Sequence, residues 1–153
     1  MTMAKHPHQI CTFKLGDTLF GVDVTNVQEV IRYQEMTSVP LAPAIIRGLI
    51  NLRGQIVTAI DMRACLGLPP HAEQLPMNVV VRTGDGVASL LVDEIGDVLQ
   101  PDESCFERVP ETIVGVLREL VTGVYKLDHS LLLLLDVERL MSSIPMGHQT
   151  EAA

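Results

Sequence analysis

The chain has 153 residues, of which 47% are hydrophobic and 20% are charged, and its formal net charge is −8 at pH 7. This composition excludes intrinsic disorder, and the length allows a hydrophobic core without disulfides. An acidic surface repels phosphate backbones and anionic headgroups, so we expect no nucleic-acid binding and no binding to a membrane surface.

Membrane insertion and secretion are not expected either. The longest apolar run, Leu131 to Leu135, has five residues, whereas a spanning helix needs about 20. Residues 1–8 lack the apolar stretch of a secretory signal, which predicts a cytoplasmic protein. The three cysteines fit neither a disulfide framework nor a zinc site and are interpreted as core or near-surface residues, with a reactive thiol as the alternative: Cys11, Cys65 and Cys105.

In chain order, alternating and continuous apolar stretches are interrupted by glycine and proline at short intervals, which indicates an all-β fold. Turn residues predict four strand reversals, at Gly16–Asp17, Leu52–Gln55, Gly84–Gly86 and Leu127–Ser130. The strand Leu131–Leu135 is apolar on both faces, so we expect both faces to be buried.

Only a few short helices are predicted. Thr25–Gln28 matches a capping box, and Asp61 and Asp136 are expected to cap helices over Met62–Leu66 and Val137–Met141.

An internal duplication organises the chain. The block Val22–Pro40 recurs 70 residues later as Val92–Pro110, and Gly48, Leu52 and Asp61 recur 75 residues later as Gly123, Leu127 and Asp136. Each copy provides about five strands, which predicts two small SH3-like β-barrels that share an apolar interface. The linker between the copies is residues 67–76.

Chemical signatures of an enzyme are weak. The acidic cluster lacks the spacing of a calcium-binding loop and is interpreted as a solvated face: Asp93, Glu94, Asp97, Asp102 and Glu103. Gly84–Gly86 lies between strands, so it predicts a hairpin turn and not a phosphate-binding loop. The five histidines are scattered, and His6 with His8 is interpreted as a solvated tail and not a metal site. We therefore predict no catalytic residue, no cofactor and no metal.

Binding surfaces remain. A groove between two barrels would suit an amphipathic helix. Arg53 stands in a tight turn whose counterpart in the second copy is Asp128-His129. It is either a contact residue or a solvated turn arginine.

Three blocks of this sequence resemble the CheW family of chemotaxis adaptors: Gly21–Val30, Ile46–Val57 followed by Ile60–Arg63, and Leu91–Leu99. The resemblance runs from about Ile10 to Met141. It implies two interlaced SH3-like five-stranded barrels around a shared hydrophobic core, with a few short helices. The expected domain is 9–142, with barrel subdomains at approximately 16–68 and 78–141, terminal strands exchanged between them, and tails at 1–8 and 143–153.

The resemblance also implies partners and a role without catalysis. The family joins the cytoplasmic helical hairpin of chemoreceptors to the regulatory domain of the histidine kinase CheA, at receptor arrays on the inner face of the membrane. By matching positions, Arg53, Val27 and Val98 would contact the receptor, and Glu29 and Val30 would contact the kinase. Val27 and Val98 could equally be core residues.

Two alternatives stay open. The same adaptor role could serve an array that controls pili or development. A β-domain that binds a small ligand and acts as an enzyme, through Cys65 or the acidic cluster, is a different class of function.

Overall fold

The structure is a computed structural model that describes residues 9–70 and 75–144. Within these ranges the chain forms eleven strands, three short α-helices and two 3-10 turns. No helix in these ranges is long and apolar enough to cross a membrane. The strands are β1 (Ile10–Leu15), β2 (Thr18–Asp23), β3 (Val27–Ile31), β4 (Ile46–Leu52), β5 (Gln55–Asp61), β6 (Met77–Thr83), β7 (Gly86–Val92), β8 (Glu94–Leu99), β9 (Phe106–Glu107), β10 (Val121–Lys126) and β11 (Leu131–Leu135). The helices are α1 (Met62–Cys65), α2 (Gly115–Leu120) and α3 (Val137–Ser143).

The strands form two sheets of matching layout. Sheet A has the order β8-β1-β2-β11-β10-β9, and sheet B has the order β3-β6-β7-β5-β4. Each sheet contains one parallel pair, β2 with β11 in sheet A and β5 with β7 in sheet B, among antiparallel neighbours. The predicted all-β class is confirmed, and the duplication in the sequence appears as two sheets with equivalent strands.

The two repeats exchange their opening hairpins. Hairpin β1–β2 lies in sheet A beside strands of the second repeat, and hairpin β6–β7 lies in sheet B beside strands of the first repeat. Each sheet therefore combines strands from both repeats. Asp93 alone separates β7 from β8, and a hairpin needs about two loop residues. The chain cannot fold back there and instead crosses into the other sheet.

A shared core fills the space between the sheets. It contains Phe13 and Phe20 of sheet A, whose rings stack with centroids 6.0 Å apart, together with Val79 and Leu90 of sheet B. Each sheet also closes over a smaller cluster of its own: Ile50, Leu52, Val57, Ala59, Val80 and Leu91 in sheet B, and Ile10, Tyr125, Leu132 and Leu134 in sheet A. Strands that are apolar on both faces thus separate two cores. The predicted burial of Leu131–Leu135 is confirmed for Leu132–Leu135 and was wrong for Leu131, which is 45% exposed at the start of the strand.

The local predictions were mostly confirmed. All four predicted reversals join paired strands. Asp61 accepts a hydrogen bond from the Ala64 amide at 3.2 Å, and Asp136 accepts one from the Arg139 amide at 3.1 Å, so both cap helices.

The capping box at Thr25–Gln28 was wrong. Asp23 accepts hydrogen bonds from the amide and hydroxyl of Thr25, at 2.9 and 2.8 Å, and closes a 3-10 turn over Val24–Asn26. Gln28 already belongs to β3. A carboxylate two residues upstream of Thr25 therefore caps the segment, and the chain returns to an extended conformation after three residues.

Candidate functional site

The turn between β4 and β5 presents Arg53 at its tip. Leu52 pairs with Gln55, and the two residues between them have positive φ, 52° at Arg53 and 88° at Gly54. This is the type I′ geometry that suits the twist of a hairpin. The Asn51 side chain accepts a hydrogen bond from the Gly54 amide at 2.9 Å, which fixes the turn.

Arg53 forms a two-pronged ion pair with Glu29. Its two terminal nitrogens each lie 2.7 Å from a carboxylate oxygen of Glu29. The Arg53 side chain is 74% exposed, whereas that of Glu29 is only 18% exposed. Hydrogen bonds from Arg53 lower the pKa of Glu29 below its ordinary value. The pair joins edge strand β3 to the β4–β5 turn, which lies at the opposite end of the strand order of sheet B. It therefore links the two ends of sheet B through side chains.

Sequence reasoning placed Arg53 on the receptor surface and Glu29 on the kinase surface. The structure brings the two side chains into direct contact. A substitution at either residue breaks the same ion pair, so the two proposed surfaces adjoin at this point.

The three valines occupy related positions on edge strands. Val27 is half-buried and packs against the shared core, whereas Val30 is 37% exposed and Val98 is 52% exposed. Val30 pairs with Val79 on β6, and Val98 pairs with Cys11 on β1. Directly paired residues project from the same face of a sheet.

Both of these pairing partners belong to the shared core. Val30 and Val98 therefore occupy equivalent places in the two sheets, on the faces that meet in the shared core. Val98 lies outside the core, whereas Val27 is partly a core residue.

The second copy does not repeat the ion pair. Since Val98 is the structural counterpart of Val30, the residue at the position of Glu29 is Asp97 on β8. The residue 75 positions after Arg53 is Asp128 in the β10–β11 turn. Outside glycine, positive φ among the described residues occurs only at Leu41 and Arg53, so the second turn has a different backbone conformation. The charged pair is thus a property of sheet B.

A second ion pair was not assigned by sequence reasoning. Arg63 on α1 binds Asp93 through Nε to Oδ1 at 3.0 Å and through Nη2 to Oδ2 at 2.5 Å. The Gly16 amide donates to the same Oδ2 at 2.7 Å. The interpretation of the acidic cluster as solvated was wrong for Asp93, whose side chain is only 13% exposed. It was right for the other four members: Glu94, Asp97, Asp102 and Glu103. Arg63 and Asp93 both stand in the sequence blocks quoted above, and that was the available signal.

The residues considered for chemistry are poorly placed for it. Cys65 is buried, and burial raises the pKa of its thiol to about 11, so little nucleophilic thiolate exists at neutral pH. Among residues 9–70 and 75–144, no group of three or more histidine, cysteine or acidic side chains could hold a metal ion. His6, His8, His71 and His148 lie outside the described residues.

Three comparisons with known proteins agree. A family model described as a CheW-like domain matches residues 9–144. A chemotaxis protein CheW of Klebsiella aerogenes is 33% identical over 88% of this chain and 82% of its own length. That of Treponema pallidum is 29% identical over 94% of this chain and 87% of its own length. The crystal structure of the scaffolding protein TtCheW from Thermoanaerobacter tengcongensis covers 86% of this chain and 90% of its own, with a TM-score of 0.77 and 29% identity.

Proposed function

The chain belongs to the CheW-like family, and from that premise we propose that it is a chemotaxis adaptor that couples the cytoplasmic tips of chemoreceptors to the histidine kinase CheA. The observation that carries the proposal is the family match over residues 9–144, which spans both sheets and their shared core. The family role is that of a scaffold without catalysis. We expect the protein to work at receptor arrays on the inner face of the membrane.

The proposed receptor surface contains Arg53, Val27 and Val98. A receptor tip is a helical hairpin, and an apolar stripe on a helix needs exposed or half-exposed apolar side chains opposite it. Val98 meets that need on sheet A, and Val27 meets it in part on sheet B. The aliphatic part of the Arg53 side chain can cover apolar helix surface, and its guanidinium group can pair with carboxylates or carbonyl groups.

The proposed kinase surface contains Glu29 and Val30 on β3. This strand has a hydrogen-bonded neighbour on one side only, β6. Edge strands offer accessible backbone groups to a partner. Val30 provides an exposed apolar side chain on the same strand, and the CheA regulatory domain is the partner that this surface would bind.

The adaptor role is tested by reconstitution. Adding the protein to CheA and a receptor cytoplasmic fragment should raise kinase autophosphorylation above the level of kinase and receptor alone. Failure to stimulate the kinase with any receptor of the source organism would refute the proposal.

The surface assignments need variants that separate direct contact from the Glu29–Arg53 ion pair. Arg53→Glu should weaken binding of the receptor fragment by roughly 30-fold, the loss typical of a central interface contact, and should leave the circular dichroism spectrum unchanged. Arg47→Glu is the matched control for Arg53→Glu, because Arg47 also pairs with a carboxylate of sheet B, Asp61, at 3.2 Å. The control should bind the receptor normally.

The exchanged double variant Glu29→Arg/Arg53→Glu separates the two roles. It can restore an ion pair inside the protein while it presents the opposite charge at the turn. Continued loss of receptor binding would support direct contact by Arg53. Full recovery would show that Arg53 acts only through Glu29. For the kinase surface, Glu29→Lys should weaken binding of the CheA regulatory domain more than binding of the receptor.

A further inference from the structure

The chain crosses between the sheets at two equivalent places, and the side-chain contacts at the two crossovers differ. At Asp93, between β7 and β8, the carboxylate binds the fork of Arg63 and the amide of Gly16. At the other crossover, between β2 and β3, the corresponding residue is Asp23, which accepts hydrogen bonds from the amide and hydroxyl of Thr25 within the connection itself. On that side of the protein, helix α3 contacts the β6–β7 turn through the Ser142 hydroxyl and Asp85, at 3.5 Å.

The groups tied by Asp93 belong to different sheets. Arg63 is on α1, which directly continues β5 of sheet B, and Gly16 is in the β1–β2 turn of sheet A. Arg63 also donates through Nη1 to the Pro69 carbonyl at 2.7 Å. Its guanidinium group thus has three acceptor atoms, the two carboxylate oxygens of Asp93 and this carbonyl. The Arg63 and Asp93 side chains are 14% and 13% exposed. A two-pronged pair shielded from water in this way fixes direction as well as distance.

The shared core alone does not fix the direction of one sheet relative to the other. Apolar burial is non-directional and depends mainly on the area removed from water. The Arg63–Asp93 ion pair adds directional polar contacts to this burial, beside the hydrogen bond from the Asp93 amide to the Lys14 carbonyl at 3.1 Å. These polar contacts resist rotation of sheet A relative to sheet B at this crossover.

We propose that Arg63 and Asp93 are positioning residues for receptor binding. They hold sheet A and sheet B at one relative angle and so set the position of Val98 on sheet A relative to Val27 on sheet B. The proposal rests on the proposed function, because it concerns the surface assigned there to the receptor. Binding of the CheA regulatory domain to β3 involves sheet B alone and should not depend on this angle.

The relative position of the sheets can be measured directly. Spin labels at Gln55 on β5 and Thr122 on β10, both exposed, report one distance between the sheets. Cys105 is replaced by serine for labelling, because it is the only one of the three cysteines that is not buried. Affinities for the receptor fragment and for the kinase domain are measured on unlabelled protein.

Three substitutions test the role of the Arg63–Asp93 ion pair. Asp93→Asn keeps an oxygen that can accept from the Gly16 amide but removes the charge that Arg63 binds. Arg63→Lys keeps the charge but replaces the fork by a single ammonium group. Lys126→Gln is the control, because it removes an exposed ion pair with Glu107 that lies within sheet A.

Asp93→Asn should broaden the distance distribution and lower receptor affinity about fivefold or more, with kinase-domain affinity unchanged. Arg63→Lys should have a smaller effect in the same direction, and it carries the test if Asp93→Asn does not fold. The control should change neither quantity. Wild-type distances or wild-type receptor affinity in folded Asp93→Asn and Arg63→Lys would overturn the positioning role. Absence of receptor binding by the wild-type protein would instead refute the proposed function.

Discussion

Replacing Leu90 by alanine should destabilise both sheets to the same extent, although Leu90 belongs to sheet B alone. Its side chain is fully buried on β7 in the shared core. Removing a leucine side chain from such a site costs about 3 kcal/mol, because transfer free energy is lost and a cavity remains. In a chain of this length, 1 kcal/mol corresponds to a change in Tm of about 2–4 °C, so the expected decrease is about 6–12 °C.

Calorimetry combined with hydrogen exchange tests this expectation. A single transition with equal calorimetric and van't Hoff enthalpies indicates that both sheets unfold together. In Leu90→Ala, the free energy of opening obtained from amide exchange should fall by the same amount for β11 in sheet A and β6 in sheet B. Val30→Ala, at an exposed position of sheet B, is the control and should change stability by less than about 0.5 kcal/mol. Unchanged protection of β11, or two separate transitions, would refute the argument that the exchanged hairpins form one cooperative unit.

Three further predictions concern single sites. Ser89→Ala removes the 2.7 Å hydrogen bond to the side chain of Asn78, and both residues are fully buried. The free energy of unfolding from calorimetry should therefore fall by about 1–3 kcal/mol, and an unchanged Tm would contradict this. Iodoacetamide at pH 8 should modify Cys105 and spare Cys65, because burial raises the pKa of the Cys65 thiol to about 11; equal modification in peptide mapping would show that Cys65 is accessible. Gly54→Ala should lower the free energy of unfolding in urea by about 1–2 kcal/mol from backbone strain at φ 88° alone, since no atom lies within 4 Å of the added Cβ. Wild-type stability would show that the turn changes conformation.

The features that the sequence predicted well are local ones. Gly16, Gly54 and Gly86 supply the positive φ angles of three tight turns, and each turn sets the register of the strands beside it. Asp61 and Asp136 act on amides three residues away. α2 was not predicted because Val114, at its N-cap, makes no side-chain hydrogen bond and so leaves no capping signal.

The features that were missed depend on contacts between distant residues. Arg53 and Glu29 are separated by 24 positions, and Arg63 and Asp93 by 30. No periodicity in the sequence encodes such pairs. The exchange of strands between the repeats was expected from the family resemblance and not from the sequence pattern. The one-residue connection at Asp93 marks where the chain passes to the other sheet, which becomes apparent only when β7 and β8 are both recognised as strands.

The hairpin exchange has a consequence for the protein during its synthesis on the ribosome. Strand β2 must wait for its parallel neighbour, since Leu19 pairs with Leu132, roughly 110 residues later, a delay of about 6–20 s at ordinary elongation rates. Sheet B, by contrast, has all five of its strands once Val92 has been made. Sheet B can therefore assemble on the nascent chain while hairpin β1–β2, which is made before it, still lacks its neighbours in sheet A. Of the strands that the structure describes, those of this hairpin have the longest exposure to chaperones and to premature association with a neighbouring chain.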